Sequence, residues 1–176
     1  MRIIVRALAV PVLLAVSYAA QAQTLQVPMH LVDAKGGEQA IGIVTITQDT
    51  NGVTFTPNLT GLPPGLHGFH VHQNPNCDPA MDPAKNRMMA AQAAGGHFDP
   101  DKTGHHEGPM GHGHLGDLPA LRVDANGNAT TPVVAPRLRI AELSGHSLII
   151  HAGGDNYSDT PEKLGGGGAR IACGVI

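Results

Sequence analysis

Histidine provides the unusual chemistry of this sequence, because its 11 histidines equal its lysines and arginines combined. His70 and His72 lie two positions apart in a segment that predicts a β-strand, and such residues point to the same face of a sheet. His151 ends another apolar segment, and Gly95-Gly96 gives His97 a flexible approach to the same region. Four imidazoles suit copper better than calcium or magnesium, because those hard cations prefer oxygen ligands.

A second group of potential ligands includes a carboxylate. Its members are His105, His106, His112, His114 and Asp117. Three imidazole nitrogens and one carboxylate oxygen make up a tetrahedral zinc set. A single histidine in such a segment is more typical of a solvated loop, but so many suitable ligands in one small chain favour metal binding.

Short β-prone segments must position these ligands. The segments are Thr24–Val32, Ile41–Thr47, Val53–Leu59, His67–His72, Ala120–Val123, Thr130–Val134 and Ser147–Ala152. They are rich in β-branched residues, and some alternate between apolar and polar positions, as strands do. Many short strands separated by turn residues predict an all-β fold, either a sandwich or a flattened barrel.

The segments between these strands include two turns and one long loop. Asn51-Gly52 and Asn126-Gly127 each separate two strands, and Asn-Gly is typical of tight β-hairpin turns. Residues Gln73–Leu118 have little strand character, yet they hold five histidines. Within this loop, Ala84–Ala94 predicts one or two helical turns. Long loops in compact domains are usually functional or disordered, and a metal and a disulfide are the available means of ordering this one.

The same loop holds several methionines. They are Met81, Met88, Met89 and Met110. Thioethers are soft ligands that could aid uptake of Cu(I), but packing is the simpler interpretation of these side chains.

The first 22 residues predict a secretory signal peptide. Arg2 and Arg6 precede an apolar stretch from Ala7 to Val16, and Ala20-Gln21-Ala22 fits a signal peptidase site before Gln23. A membrane anchor is the alternative, but this stretch is short for a bilayer, which needs about 20 apolar residues. We therefore expect residues 23–176 to form one exported domain.

The two cysteines, Cys77 and Cys173, are an even pair in a chain expected to enter an oxidising compartment. This favours one disulfide over two free thiols at a metal site. Loop-closure entropy assigns a bridge across about 100 residues roughly 4–5 kcal/mol of stability.

Composition argues against a nucleic-acid partner. The chain has a formal net charge of −3, no tryptophan, two tyrosines and three phenylalanines. It therefore lacks both the basic face and the stacking aromatics that such a partner requires. Signal cleavage removes two arginines and makes the remaining chain more acidic.

Six segments in combination resemble the copper/zinc superoxide dismutases, and the exported bacterial branch of that family is the nearest match. The segments are Gly68–His72, Gly96–Pro100, His106–Pro109, Gly113–Leu118, His151–Asn156 and Gly165–Ile176. The resemblance covers essentially all of the chain after the signal. It implies a Greek-key immunoglobulin-like β-sandwich or flattened barrel. It also implies dismutation of superoxide to dioxygen and hydrogen peroxide by copper redox cycling, beside a structural zinc.

The resemblance also implies the ligands of each metal. For copper they are His70, His72, His97 and His151. For zinc they are His97, His106, His114 and Asp117. His97 would then bridge the two metals, while His105 and His112 remain alternatives as zinc ligands.

Four further residues, and His97 for a second time, receive roles from the resemblance. Asp155 links a copper-side histidine to a zinc-side histidine, and Cys77 forms a disulfide with Cys173. Arg170 is the active-site arginine that attracts the anion, while His97 parts from copper on reduction and carries a proton. An always-charged guanidinium suits the capture of a small anion.

A non-catalytic periplasmic protein that binds or delivers copper and zinc is the alternative function. Arg170 and a histidine shared by two metals favour the enzyme, because a carrier needs neither. The expected location is the periplasm, without a stable membrane span after signal cleavage. The sequence leaves a monomer and a homodimer equally open.

Overall fold

The computed structural model describes residues 23–176, so the predicted signal peptide, residues 1–22, lies outside the described residues. The described part contains eleven strands and three short 3-10 helices. The strands are β1 (Thr24–Val32), β2 (Glu38–Asp49), β3 (Gly52–Leu59), β4 (Gly65–His67), β5 (Phe69–His72), β6 (Ala80–Asp82), β7 (Arg87–Met89), β8 (Leu121–Val123), β9 (Val133–Ala135), β10 (Ser147–His151) and β11 (Arg170–Val175). The helices are Gln92–Ala94, Ile140–Glu142 and Lys163–Gly166. Among these residues, no helix is both long and apolar enough to cross a membrane.

Seven strands form one curled antiparallel sheet in the order β5-β10-β11-β1-β2-β3-β9. β4 pairs with β8, and β6 pairs with β7, in two small separate sheets. The pairing of β5 with β10 sets His70 opposite Ile149. Two segments almost eighty residues apart in sequence therefore become neighbours at one edge of the sheet. The predicted all-β fold class is confirmed.

The hydrophobic core fixes the strand that carries the first two histidines. Phe69 and Val71 are fully buried, and Phe69 meets Phe55 of β3 edge to face with ring centroids 5.9 Å apart. Burial of each such side chain contributes about 1.5–3 kcal/mol. Because Phe69 and Val71 alternate with His70 and His72 along β5, core packing holds both imidazoles in place.

The two Asn-Gly predictions have different outcomes. Asn51-Gly52 lies in a β2–β3 hairpin in which Asp49 pairs with Gly52. The second hairpin prediction is wrong, because β8 pairs with β4 and β9 pairs with β3. Asn126-Gly127 still forms a tight turn, with the Gly127 amide donating to the Asp124 carbonyl at 3.0 Å. This turn therefore joins two sheets instead of two paired strands.

The prediction of helical turns across Ala84–Ala94 is wrong for most of the segment. Only Gln92–Ala94 is helical, and residues 80–89 form the β6–β7 hairpin. The Asp82 carboxylate accepts the backbone amide of Ala84 at 2.9 Å, and Asn86 has a positive φ of 48°. Aspartate and asparagine favour turns in this way because their side chains bond nearby backbone and tolerate the left-handed region.

Candidate metal centre

Four buried imidazoles meet where β5 and β10 lie side by side. His70 and His72 belong to β5, and His151 ends β10. His97 comes from the long loop and forms an isolated β-bridge with His72. One ring nitrogen from each histidine lies within 4.8 Å of the other three. We call these residues the four-histidine cluster.

A second contact orients each ring on the strands. His72 Nδ1 donates to the Gly95 carbonyl at 3.0 Å, and His151 Nδ1 donates to the Gly168 carbonyl at 3.3 Å. The outward nitrogens of these two rings, both Nε2, lie 3.4 Å apart. Such contacts fix the tautomer and leave the other nitrogen able to bind a cation.

Two other nitrogens of the cluster have no partner. His70 Nδ1 and His97 Nε2 are buried without a hydrogen bond. Buried polar atoms are normally satisfied, so an orphan of this kind requires an explanation. Unpartnered nitrogens that converge on a common point, with no carboxylate among them, fit a copper ion.

Asp117 is the centre of the second group of ligands. Its Oδ1 lies 2.8 Å from His97 Nδ1 and 3.4 Å from His114 Nδ1, and its Oδ2 lies 3.0 Å from His106 Nδ1. The Nδ1 atoms of His106 and His114 lack hydrogen-bond geometry although they are buried. We call His97, His106, His114 and Asp117 the carboxylate cluster. Three nitrogens around one carboxylate fit a tetrahedral zinc ion.

The structure gathers these ligands unequally. One group that contains Asp117 also includes His70, His97 and His106, and its ligand atoms all lie within 4.8 Å of one another. His114 lies at the edge of this group, with its ring centroid 5.3 Å from that of His97. The predicted zinc ligand His114 is therefore close to Asp117 but outside this group.

Asp155 connects the two clusters. Its Oδ2 accepts from His70 Nε2 and its Oδ1 accepts from His106 Nε2, both at 2.8 Å. The backbone amide of Tyr157 also donates to Oδ1 at 2.8 Å. The carboxylate is buried, so one side chain orients a ring in each cluster. The predicted linking residue is thus brought between the histidines that it was expected to join.

The two clusters differ in protonation. Burial lowers the pKa of His97 to about 3 and lowers the pKa values of His72 and His151 well below 6.5. Burial also opposes protonation of His106, but the adjacent carboxylates of Asp117 and Asp155 outweigh it and raise the pKa of His106 to about 9. Despite burial, hydrogen bonds from the histidines hold the pKa of Asp117 below its ordinary value.

The alternative zinc ligands occupy other positions. His105 and His112 are exposed, whereas His106 is buried. The His105 carbonyl accepts the backbone amide of His114 at 2.9 Å, and the backbone amide of His112 donates to the Glu107 carboxylate at 2.8 Å. Both residues shape the loop through their backbone and do not join the carboxylate cluster.

Arg170 lies beside the four-histidine cluster. Its guanidinium donates to the carbonyls of Ala91 and Gly95, each at 2.6 Å. The Gly95 carbonyl also accepts from His72, so one backbone oxygen holds both side chains. A cavity of about 230 Å³ is bordered by Arg170 together with His72, His97 and His151.

The predicted disulfide between Cys77 and Cys173 is confirmed. It joins the start of the long loop to β11, the strand that begins with Arg170. The bridge spans 96 positions and therefore closes most of the described chain into one loop.

Two residues that help to build the site were missed by the sequence analysis. His67 is buried, and its Nδ1 and Nε2 lie 2.8 Å from the carbonyl oxygens of His151 and Pro63. Asp159 accepts the backbone amide of His106 at 2.9 Å. Neither residue has a ligand spacing. Gly68 interrupts the strand between His67 and His70, and Asp159 is 53 positions from its partner.

Comparisons with known proteins agree with this geometry. Residues 40–176 match the family described as copper/zinc superoxide dismutase. A Salmonella typhimurium protein named superoxide dismutase (Cu-Zn) 2 is 56% identical over 158 residues, covering 89% of this chain and 90% of the relative. The Escherichia coli K12 superoxide dismutase (Cu-Zn) is 54% identical over 164 residues, covering 93% and 94% of the two chains.

Solved structures give the same result. The Cu/Zn superoxide dismutase from Brucella abortus is similar with a TM-score of 0.85 and 49% identity, covering 88% of this chain and 99% of that one. The monomeric copper, zinc superoxide dismutase from Salmonella enterica has a TM-score of 0.77 and 55% identity, with the same coverage.

Proposed function

The chain belongs to the copper/zinc superoxide dismutase family, and on this premise we propose which of its residues hold the metals and how they act. It is an enzyme that converts superoxide to dioxygen and hydrogen peroxide with copper and zinc as cofactors. Relatives more than 50% identical over most of the chain carry the name of this enzyme, which argues against a non-catalytic metal carrier.

His70, His72, His97 and His151 are the proposed copper ligands. Copper supplies the chemistry of one-electron transfer by changing between two oxidation states. The observation that carries the assignment is the convergence of four buried nitrogens, two of which lack any partner. The role of the protein is to hold these rings rigidly from behind, through Asp155 and the backbone carbonyls of Gly95 and Gly168.

His97, His106, His114 and Asp117 are the proposed zinc ligands. The group around Asp117 whose ligand atoms all lie within 4.8 Å of one another contains His70 in place of His114. However, His70 has its Nε2 engaged by a carboxylate, so its only free nitrogen is the Nδ1 that the four-histidine cluster requires. The Nδ1 of His114 is buried and unpartnered 3.4 Å from Asp117, which supports His114 as the fourth ligand.

His97 has a second proposed role as a proton carrier. Its Nδ1 faces Asp117, while its Nε2 has no protein partner. The ring also borders the cavity that substrate would enter. His97 Nε2 is therefore the atom suited to take up a proton and release it toward the product.

Arg170 is the proposed substrate-binding residue. A guanidinium has five N–H donors, and the contacts with Ala91 and Gly95 orient it at the cavity wall. Its positive charge attracts the superoxide anion locally, which matters because the chain as a whole is acidic.

Export to the periplasm is the proposed location. Residues 1–22 then act as a signal peptide, and residues 23–176 are the functional domain. The Cys77–Cys173 disulfide supports this proposal, since such bonds persist in oxidising compartments. The mass of the protein recovered from a periplasmic extract tests the expected cleavage before Gln23.

Superoxide dismutation by the purified chain, reconstituted with copper and zinc, tests the proposed ligands. His72→Ala is expected to lose copper and reduce turnover by more than about 100-fold, because a donor is removed. His105→Ala is the matched control, since His105 is exposed, and it is expected to keep both metals and full turnover. Stoichiometric metal binding without turnover in the parent chain would support a carrier instead.

A further inference from the structure

Three methionines lie on the β6–β7 hairpin beside the cavity, and none has a role in the site proposed above. Met81 stands directly opposite Met88 in the hairpin register, and Met89 stands opposite Ala80. Packing was the expected role of these side chains. Met81 and Met88 are 54% and 43% exposed, so packing accounts for only part of each side chain.

The two faces of the hairpin have different surroundings. Asp82 and Met89 border the cavity that contains His72, His97 and His151. Successive strand residues point to opposite faces, so Met81 and Met88 occupy the outer face. Residues directly opposite each other in an antiparallel pair have Cβ atoms about 4.5–5.5 Å apart. Two flexible thioethers at this separation can reach a single ion.

The chemistry of the outer face selects a soft cation. Thioether sulfur prefers Cu(I) and is a poor ligand for hard cations such as magnesium and calcium. The charged strand residues Asp82 and Arg87 lie opposite each other in the hairpin register. Along the two strands they alternate with Met81 and Met88. The outer face of these strands therefore offers two sulfur atoms and no charged group.

The hairpin is attached firmly at both ends. The Cys77–Cys173 disulfide holds the chain three residues before β6. Arg170 binds the carbonyl of Ala91, two residues after β7. Met89 is half-buried at the cavity wall. The methionine pair thus lies on the outer face of a hairpin whose inner face borders the cavity, with a third thioether on that inner face.

We propose that Met81 and Met88 form a docking site for Cu(I), from which Met89 passes the ion to the histidines of the cavity. Each transfer exchanges one ligand for another and leaves the oxidation state of copper unchanged. The proposal of a docking site depends only on the hairpin residues. The proposal of onward transfer depends also on the proposed copper ligands.

Methionine methyl NMR tests the docking site. The probe is Cu(I), added without oxygen to protein that already carries zinc and reduced copper, so that the histidines are occupied and the sample is diamagnetic. We expect the Met81 and Met88 methyl signals to shift together and saturate at one added ion per chain. Met81→Leu is expected to weaken the response of Met88 by about tenfold or more, because one of two soft ligands is lost.

Met110 is the matched control, since it is 76% exposed and lies on a different loop. Its signal is expected to stay in place, and Met110→Leu to leave the other two shifts intact. Equal shifts at Met110 and the hairpin pair, or none at Met81 and Met88, would overturn the proposal. A change in the Met81 and Met88 methyl shifts when copper-free protein is diluted would also overturn it, because that change would identify a self-association surface.

The rate of copper uptake tests the transfer. Zinc-loaded, copper-free protein receives Cu(I) from a coloured chelate whose absorbance reports the rate. We expect the double variant Met81→Leu/Met88→Leu, and separately Met89→Leu, to take up copper about tenfold more slowly, because a soft ligand step is lost, with unchanged final copper content. Rates equal to that of Met110→Leu would overturn the transfer. His72→Ala tests the copper ligands separately, since it is expected to lower final copper content while keeping the docking shifts.

Discussion

The four-histidine cluster and the carboxylate cluster share His97 but are prepared for their cations in different ways. Burial lowers the pKa values of His72, His97 and His151, so these rings are neutral and each offers an unprotonated nitrogen. In the carboxylate cluster, two carboxylates raise the pKa of His106 to about 9 against the effect of burial. The groups packed around a histidine therefore determine whether a metal must displace a proton when it binds that ring.

The clusters also differ in the elements that hold them. His70, His72 and His151 lie on two paired strands of the main sheet, and the hydrophobic core fixes those strands. His106 lies on a segment outside the strands and helices and is held by Asp117, Asp155 and Asp159, while Asp117 joins β5 only through an isolated β-bridge with His70. Three residues of the first cluster are thus fixed by paired strands of the main sheet, whereas the second cluster depends more on loop backbone and on side-chain contacts.

The largest effect is expected from the residue that the two clusters share. His97→Ala removes one nitrogen donor from each cluster, and we expect the affinities for copper and zinc each to fall by more than about 100-fold. His72→Ala is the matched comparison, because it removes a donor from the four-histidine cluster alone. Competition with chelators measures both affinities. Loss of a single metal in His97→Ala would contradict a shared ligand.

A smaller effect is expected at the residue that links the clusters. Asp155→Ala removes the carboxylate that orients His70 and His106. Loss of such an orienting partner typically lowers metal affinity by about 10–100-fold, and we expect both metals to be affected. Asp101→Ala, at an exposed carboxylate, is the control. A change confined to one metal would show that Asp155 serves only one cluster.

The smallest expected effect is a difference between the two clusters in how their metal affinity depends on pH. Zinc must displace the His106 proton, so its affinity for the metal-free protein is expected to rise about tenfold per pH unit up to about pH 9. Copper affinity is expected to change less, because its ligand rings are already neutral. The same proton stabilises the metal-free fold fully below about pH 6.5, and this contribution disappears as the pH rises through 9.

Calorimetry of each metal binding to metal-free protein, in two buffers of different ionisation enthalpy, measures the protons released. At pH 7.5 we expect about one proton per zinc and almost none per copper. Equal proton release on binding of the two metals would contradict the difference in protonation between the two clusters.

The same contrast explains what could be predicted from the sequence. His70 and His72 were recognisable from strand alternation, because a strand has a fixed period of two. In the loop, spacing alone could not choose between His105 and His106, since irregular backbone has no period. The resemblance to a known family indicated His106, and the structure explains that position by contacts with Asp117 and Asp155.

Other features depended on contacts that are distant in sequence or compete with local preference. His67 supports the carbonyl of His151, 84 positions away, so no local pattern indicates its role. The Ala-rich stretch after Pro83 has helical composition, but the Asp82 side chain and the positive φ of Asn86 form a hairpin turn instead. In both places the decisive interaction joins a side chain to a backbone group, distant in sequence for His67 and local for Asp82.

The most direct test of the shared metal centre is a crystal structure of the protein loaded with both metals, with anomalous diffraction recorded at the copper and zinc absorption edges. We expect the copper peak on His97 Nε2 together with His70, His72 and His151. We expect the zinc peak about 2.0–2.1 Å from His97 Nδ1, with His106, His114 and Asp117 as its other ligands. A zinc peak bound by His70 in place of His114, or a His97 ring bound to only one metal, would contradict the account.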